Sequence, residues 1–97
     1  MQNFIRITAS QDLAVPAGVR LSRVRLVNTG AGQVSAVLFN KNVQGVIGDA
    51  TDFCTLVTTS PYDDDKENWG TSEGMKMDSG VSVTITGTGG IMYLYYY

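Results

Sequence analysis

VSVTITGTGGIMYLYYY, which spans residues 81–97, is the stretch of sequence that decides the fold. Apolar side chains alternate with Ser and Thr up to Thr86, and a glycine-rich segment, residues 87–90, follows. Beyond it two sets of side chains alternate, namely Met92, Leu94 and Tyr96 on one side and Tyr93, Tyr95 and Tyr97 on the other. A period of two residues is that of a β-strand, and glycines between two such runs indicate a turn. The stretch therefore predicts a hairpin whose last strand has one face in the core and a tyrosine face for a partner to cover.

The rest of the chain repeats this period of two in short runs and nowhere shows helical spacing over three turns. The further predicted strands are residues 4–8, 19–28, 34–39, 46–48 (an edge strand) and 53–57. Residues 29–32 predict a second hairpin, and the polar residues 9–18 predict a connection that crosses between sheets. Short strands and tight turns predict an all-β fold with residues 1–97 as one domain. Its architecture would be a single antiparallel β-sandwich or jelly roll of about seven or eight strands.

The alternation breaks inside the predicted strand at residues 19–28. In strict alternation, its first two apolar residues would point to one face of the strand, whereas Val24 and Leu26 would point to the other. One extra residue near Ser22 would restore a single apolar face, and such an extra residue is a β-bulge. The bulge predicts that three arginines face outward together, next to Arg6: Arg20, Arg23 and Arg25.

Residues 58–74 are acidic, polar and rich in turn-forming residues, and they include two large aromatic residues, Tyr62 and Trp69. The segment predicts a long loop, and a loop of this length in a small domain is usually functional or disordered. Trp69 would either anchor an interface, as large aromatic side chains often do, or fold back onto the core of its own loop.

Charge is sorted along the sequence. Residues 1–48 carry five basic residues and one acidic residue (+4), and residues 49–97 carry two basic and eight acidic residues (−6), which gives the net charge of −2. Opposite charge on two sides of a small domain attracts one copy to another. The sequence pI of about 4.7 argues against general binding of nucleic acid, which usually needs a basic domain.

The chain has few of the side chains that catalysis and metal binding require. It has no histidine and a single cysteine, Cys54, which excludes a histidine-based triad and a disulfide within the chain. Asp63, Asp65 and Glu67 have the alternate spacing that begins a calcium loop, but Asn68 stands where that loop needs glycine. These residues predict a protein without enzymatic activity, cofactor or metal site.

The sequence also predicts no targeting or membrane segment. The N-terminal residues lack the basic stretch and apolar core of a signal peptide, and the apolar runs are too short to span a membrane. We therefore expect a soluble protein that is made in the cytoplasm.

Two parts of the sequence resemble small virion proteins of tailed bacteriophages. Residues 74–96, GMKMDSGVSVTITGTGGIMYLYY, resemble the end of many such proteins, in which small residues and a glycine precede an apolar strand, a Thr-Gly turn and an aromatic strand. Residues 26–32, LVNTGAG, and residues 37–40, VLFN, are similar to their front half. The resemblance extends over roughly residues 19–97, and the acidic segment at residues 61–73 departs from it.

The resemblance implies a small β-sandwich of the virion, and several such proteins are decoration or cement proteins that sit as trimers between capsomers. The leading hypothesis is a capsid decoration protein on the virion surface, made in the host cytoplasm. Its partners would be the major capsid protein and further copies of itself, with no nucleic acid and no membrane. The expected interface residues are Arg20, Arg23, Arg25, Trp69, Tyr93, Tyr95 and Tyr97.

Two alternatives stay open. The first is a tail, baseplate or head-fibre accessory protein, which would have the same fold but few copies per particle. The second is a carbohydrate-binding β-sandwich module, whose sugar platform would consist of Trp69, Tyr62 and the nearby acidic residues.

Overall fold

A computed structural model of the chain describes residues 3–46, 48–59, 63–69 and 74–97. These residues form nine β-strands and no helix. In chain order the strands are β1 (Asn3–Ile7), β2 (Gln11–Val15), β3 (Val19–Asn28), β4 (Val34–Phe39), β5 (Asp52–Thr58), β6 (Asp64–Asn68), β7 (Met75–Met77), β8 (Val81–Thr86) and β9 (Gly90–Tyr96). The predicted all-β fold is confirmed.

The strands form two antiparallel sheets. Sheet I has the order β1-β9-β3-β6, with β7 also paired to β3, and sheet II has the order β2-β8-β4-β5. The pairs nest inside one another, since β4 pairs with β5, β3 with β6 and β7, β2 with β8, and β1 with β9. Two further pairs, β3 with β9 and β4 with β8, join the nested pairs into the sheets.

The core lies between the sheets and is made of alternate residues of their strands. Sheet I contributes the buried side chains Ile7, Leu21, Val24, Leu26, Met77, Met92 and Leu94. Sheet II contributes the buried side chains Ala14, Val15, Val34, Ala36, Leu38, Leu56, Val81 and Val83. Removal of one large aliphatic side chain from water contributes about 1.5–3 kcal/mol, so this cluster is the main favourable contribution to folding.

Strand β3 contains the β-bulge that its sequence predicts. Its register with β9 shifts between Leu21, which is opposite Tyr96, and Arg23, which is opposite Tyr95, so Ser22 is the extra residue. Ser22 is buried, and its hydroxyl donates to the carbonyl oxygen of Tyr95 at 3.2 Å. The bulge keeps the apolar side chains of both halves of β3 on the inner face, which leaves the arginines on the outer face.

Both predicted hairpins are wrong. Strand β8 belongs to sheet II and β9 to sheet I, so residues 87–89 cross between the sheets, and residues 29–33 do the same between β3 and β4. The two crossings contact each other, because the backbone N–H of Thr29 donates to the carbonyl oxygen of Gly89 at 2.8 Å. The glycine-rich residues 29–32 and 87–90 correctly predicted that the chain reverses its direction at these two places. The two strands at each reversal bury their apolar sides by facing each other across the core instead of pairing edge to edge.

Three other segments differ from the sequence-based expectation. Residues 9–18 do lead from one sheet to the other, but they contain strand β2. At the predicted strand 46–48, the described residues Val46 and Gly48 belong to no strand. The loop predicted at residues 58–74 contains β6, whose polar residues pair with β3. A polar strand of this kind is stabilised by its backbone pairing with β3 and by the ion pair between Asp64 and Arg25.

The two sheets differ in how their outer faces are covered. Residues 40–46 lie over the outer face of sheet II, where the Ser82 hydroxyl donates to the carbonyl oxygen of Lys41 at 2.7 Å. Phe39 lies on that outer face and is nevertheless fully buried. On sheet I the outer side chains are exposed, as the 63% exposure of Phe4 illustrates, or partly buried, as Tyr93 and Tyr95 are.

Candidate interaction face

The exposed outer face of sheet I collects most of the positive charge of the chain. Alternation along each strand and the pairing register place six basic side chains on it: Arg6, Arg20, Arg23, Arg25, Lys66 and Lys76. The whole chain has seven basic residues. We call this surface, with its aromatic side chains Phe4, Tyr93, Tyr95 and Tyr97, the basic face. Charge is thus sorted by side of the sandwich rather than by half of the sequence, since Lys66 and Lys76 come from the acidic half.

Aromatic and basic side chains lie next to one another across the basic face. One row across the strands consists of Arg6, Tyr93, Arg25 and Lys66. The next row consists of Phe4, Tyr95, Arg23 and Asn68. Further along, Tyr97 and Arg20 form two backbone hydrogen bonds with each other, of 2.9 and 3.2 Å. Every tyrosine of the face therefore has an arginine on the neighbouring strand.

Arg23 is positioned by an aromatic ring. Its guanidinium carbon lies 4.1 Å from the centroid of the Tyr95 ring. Phe4 packs beside the same ring, with the two ring centroids 5.8 Å apart. An exposed contact between a cation and an aromatic ring contributes about 0.5–1 kcal/mol. It also orients the guanidinium before a partner arrives, which reduces the entropy lost on binding.

Arg25 is positioned by an acidic side chain. Its Nε donates to Oδ2 of Asp64 at 2.9 Å, with half of the Arg25 side chain exposed. An exposed ion pair of this kind contributes about 0–1 kcal/mol, so its main effect is on the orientation of the guanidinium.

Like charges lie directly opposite each other at two places on the basic face. Arg25 is the register partner of Lys66, and Arg20 is the register partner of Lys76. Like charges in directly opposite positions destabilise a sheet. Neither pair is attractive in itself and both concentrate positive charge, which makes the face a candidate site for binding a negatively charged partner.

A groove of about 220 Å³ lies between β3 and β6 on the basic face. It is lined by Arg23, Val24, Arg25, Lys66, Glu67, Asn68 and Tyr95. Guanidinium, ammonium and amide groups are hydrogen-bond donors, and they favour oxyanions such as carboxylates. The groove can therefore hold acidic side chains of a partner.

A group of acidic side chains lies on the other side of β6, where β6 runs beside β5. Oδ2 of Asp65 accepts a hydrogen bond from the backbone N–H of Val57 at 3.0 Å, so this carboxylate sits at the edge of β5. We call Asp65 and Glu67 the acidic seam.

The same acidic residues affect the nearby cysteine. Burial, followed by the charges of Glu67 and Asp65, raises the pKa of Cys54 to about 11. The thiol is therefore protonated at neutral pH and is a poor nucleophile.

Six of the seven interface residues predicted from sequence lie together on the basic face, and Trp69 does not. The Trp69 ring packs beside Phe53, with centroids 5.9 Å apart, and both are partly buried against the core. Trp69 thus folds back, but onto Phe53 and the core of the sandwich and not onto a core of its own loop. The carbohydrate-binding alternative used Trp69 and Tyr62 as its sugar platform. Tyr62 lies outside the described residues, and Trp69 packs against the core.

Sequence reasoning missed four side chains of the basic face: Phe4, Lys66, Asn68 and Lys76. Phe4 shares a side with Arg6 through the alternation of its predicted strand, so a local signal for it was present. No local signal assigns the other three to the face, and the position of Lys66, Asn68 and Lys76 follows only from the pairing of β6 and β7 with β3.

Two further features are absent from the described residues. Among these residues no three His, Cys, Asp or Glu side chains come together in a way that could hold a metal ion. Within the same part of the chain, no helix is long and apolar enough to cross a membrane.

Comparison with known proteins identifies no family. No protein-family model matches the chain, and a search of curated proteins found no relative.

Proposed function

We propose that this chain is a non-enzymatic structural protein of a tailed-phage virion, which decorates the capsid by binding the major capsid protein and further copies of itself, as a homotrimer. The observation that carries the proposal is the basic face, where six cationic side chains and three tyrosines lie on one exposed side of the sandwich. Arginine and tyrosine are the residue types most enriched where proteins bind proteins. Arg23 and Arg25 are already oriented by Tyr95 and Asp64.

The strand order supports a role in the virion. The sheets β1-β9-β3-β6 and β2-β8-β4-β5 are built from nested strand pairs, and we infer from this order a double-sheet jelly roll with one additional strand, β7. Jelly rolls occur in viral capsid proteins and in lectins. The order of the strands and the sequence resemblance are separate arguments for the same class of protein.

The first experiment measures where the chain is found and in how many copies. Virions of the source phage are purified, and the chain and the major capsid protein are quantified by mass spectrometry with labelled reference peptides. A decoration protein is expected in numbers comparable to those of the major capsid protein. A few copies per particle would instead indicate a tail, baseplate or head-fibre accessory protein, and absence from the virion would contradict both.

The second experiment tests the basic face. The purified chain is sedimented with capsids prepared without it, and the double variant Arg23→Glu with Arg25→Glu is expected to bind at least tenfold more weakly, since charge reversal repels an acidic partner. The control is Lys41→Glu, which changes charge outside the basic face. Equal binding of the double variant and the natural chain would contradict the assigned face.

A further inference from the structure

We infer that the basic face of one copy binds the acidic seam of a second copy, so that copies associate head to tail. This inference rests on the proposed function and names the partner surface for self-association. The two sides of the sandwich differ in charge. The basic face carries six of the seven basic residues of the chain, whereas the described acidic residues away from it are Asp12, Asp49, Asp52, Asp63, Asp65 and Glu67.

Among the described residues, the basic face carries less negative than positive charge. Asp64 pairs with Arg25, and Asp78 lies 3.8 Å from Lys76. Lys66 lies directly opposite Arg25, and such a pair of like charges is unfavourable for the isolated copy. An acidic surface placed over this pair would reduce the repulsion.

The acidic seam is suited to provide that surface. Asp65 is fixed by hydrogen bonds from the backbone N–H groups of Val57 and Lys66, at 3.0 and 2.9 Å, and Glu67 beside it is exposed. Asp65 and Glu67 are the register partners of the inward-facing residues Leu26 and Val24. Their side chains therefore alternate with Lys66 and do not lie over the basic face of the same copy, although Glu67 also borders the groove. A second copy can place its seam over this face.

A second copy fits better than the main alternative, single-stranded nucleic acid. Such a strand would also find arginines and aromatic rings on the face. However, the chain as a whole has a net charge of −2, and it would repel a long polyanion as it approached. A second copy presents a few carboxylates at fixed positions and brings positive charge of its own. Because the two contacting surfaces differ, the contact repeats from copy to copy and closes into a ring or extends as a filament.

The test measures association of the purified chain by native mass spectrometry and analytical ultracentrifugation at low and high salt. We expect oligomers at low salt that weaken as salt rises. Lys66→Glu on the face and Glu67→Lys on the seam should each raise the dissociation constant at least tenfold. Lys41→Glu, with the same change of charge outside both surfaces, should leave it unchanged. Circular dichroism spectra verify that each variant is folded.

Mixing two neutral interface variants distinguishes this geometry from a symmetric contact. The Glu67→Gln chain keeps the cationic side chains of the face and the Lys66→Gln chain keeps a natural seam, so a mixture, with one variant labelled with ¹⁵N, should form heterodimers as tightly as the natural contact but no larger ring. In a symmetric contact every mixed pair would keep only one of its two contacts between Lys66 and Glu67, so the heterodimers would bind more weakly than the natural chain.

Three results would overturn the inference. They are a natural chain that stays monomeric at low salt, interface variants that associate like the natural chain, and a monomer that binds labelled oligo(dT) through Lys66. The copy number in virions is independent of all three. A chain that is monomeric in solution but abundant on the capsid would therefore contradict this inference and leave the proposed binding to the major capsid protein standing.

Discussion

At the scale of single residues, stability and binding favour different side chains at position 66 of the basic face, where the chain has Lys66. It lies directly opposite Arg25. Replacing it with Glu converts a repulsive pair into an attractive one, and such cross-strand pairs contribute about 0.2–1 kcal/mol. We expect Lys66→Glu to raise the free energy of unfolding of the monomer by this amount in urea denaturation. Lys66→Gln, which only removes the repulsion, should give a smaller gain. A lower free energy of unfolding for Lys66→Glu would contradict this prediction and mean that Lys66 stabilises the fold.

Asp49 is the residue whose ionisation should make the stability of the chain sensitive to acid. Hydrogen bonds from the hydroxyl and backbone N–H of Thr51 and from the backbone N–H of Val46, with the charge of Lys41, lower its pKa from 3.8 to about 2. Because the pKa is lower in the folded chain, the stabilisation is complete at pH values above 4 and is lost as pH falls from about 4 to about 2.

The prediction for Asp49 concerns the difference between two chains. The free energy of unfolding in urea is measured for the natural chain and for Asp49→Ala from about pH 6 down to about pH 2. We expect the natural chain to have the higher free energy of unfolding at about pH 6, and we expect the difference between the two chains to become smaller below pH 4. Other carboxylates titrate in both chains and cancel in the comparison. A gap that does not change with pH would show that the charge of Asp49 makes no contribution.

At the scale of the elements, the bulge in β3 joins two halves of a strand whose apolar parities differ. Deleting Ser22 would turn the residues before it to the opposite face, so that Leu21 would leave the core and Arg20 would enter it. We expect a loss of about 3 kcal/mol or more in urea denaturation, since a buried leucine is exposed and a charge is desolvated. Ser22→Ala is the control, and it should cost about 0.5–1.5 kcal/mol through the lost hydrogen bond to Tyr95. Similar losses for the two variants would contradict the assignment of the bulge.

The strands differ in how far their own residues predict them. Strands β1, β3, β4, β5, β8 and β9 carry period-two alternation or apolar runs, and sequence reasoning found all six. Strand β6, with the sequence DDKEN, has no apolar side and is held by its backbone pairing with β3 and by the ion pair between Asp64 and Arg25. Such a strand has no signal in its own sequence, because the residues that stabilise it lie about forty positions away.

At the scale of the whole molecule, the pairing of strands was the part that the sequence did not predict. Glycine-rich turns signal that the chain reverses, but they do not determine whether the two strands pair or separate into two sheets. The candidate site shows the same limit. The bulge predicted that the arginines of β3 face outward together, whereas Lys66 and Lys76 join them only through the nested pairing of distant strands.

The two sheets are held together at one end of the sandwich by the contact between the crossings at residues 29–33 and 87–89. A Cβ atom on Gly30 would come 2.3 Å from the backbone oxygen of Thr88, whereas a Cβ on Gly32, in the same crossing, would have no heavy atom within 4 Å. We expect Gly30→Ala to lower the free energy of unfolding in urea by about 1–3 kcal/mol, as overpacking usually does, and Gly32→Ala to change it by less than about 0.5 kcal/mol. Because both changes add one methyl group to the same turn, the difference between them isolates the contact between the crossings. If both variants were as stable as the natural chain, the crossings could separate without cost and this contact would not hold the sheets together.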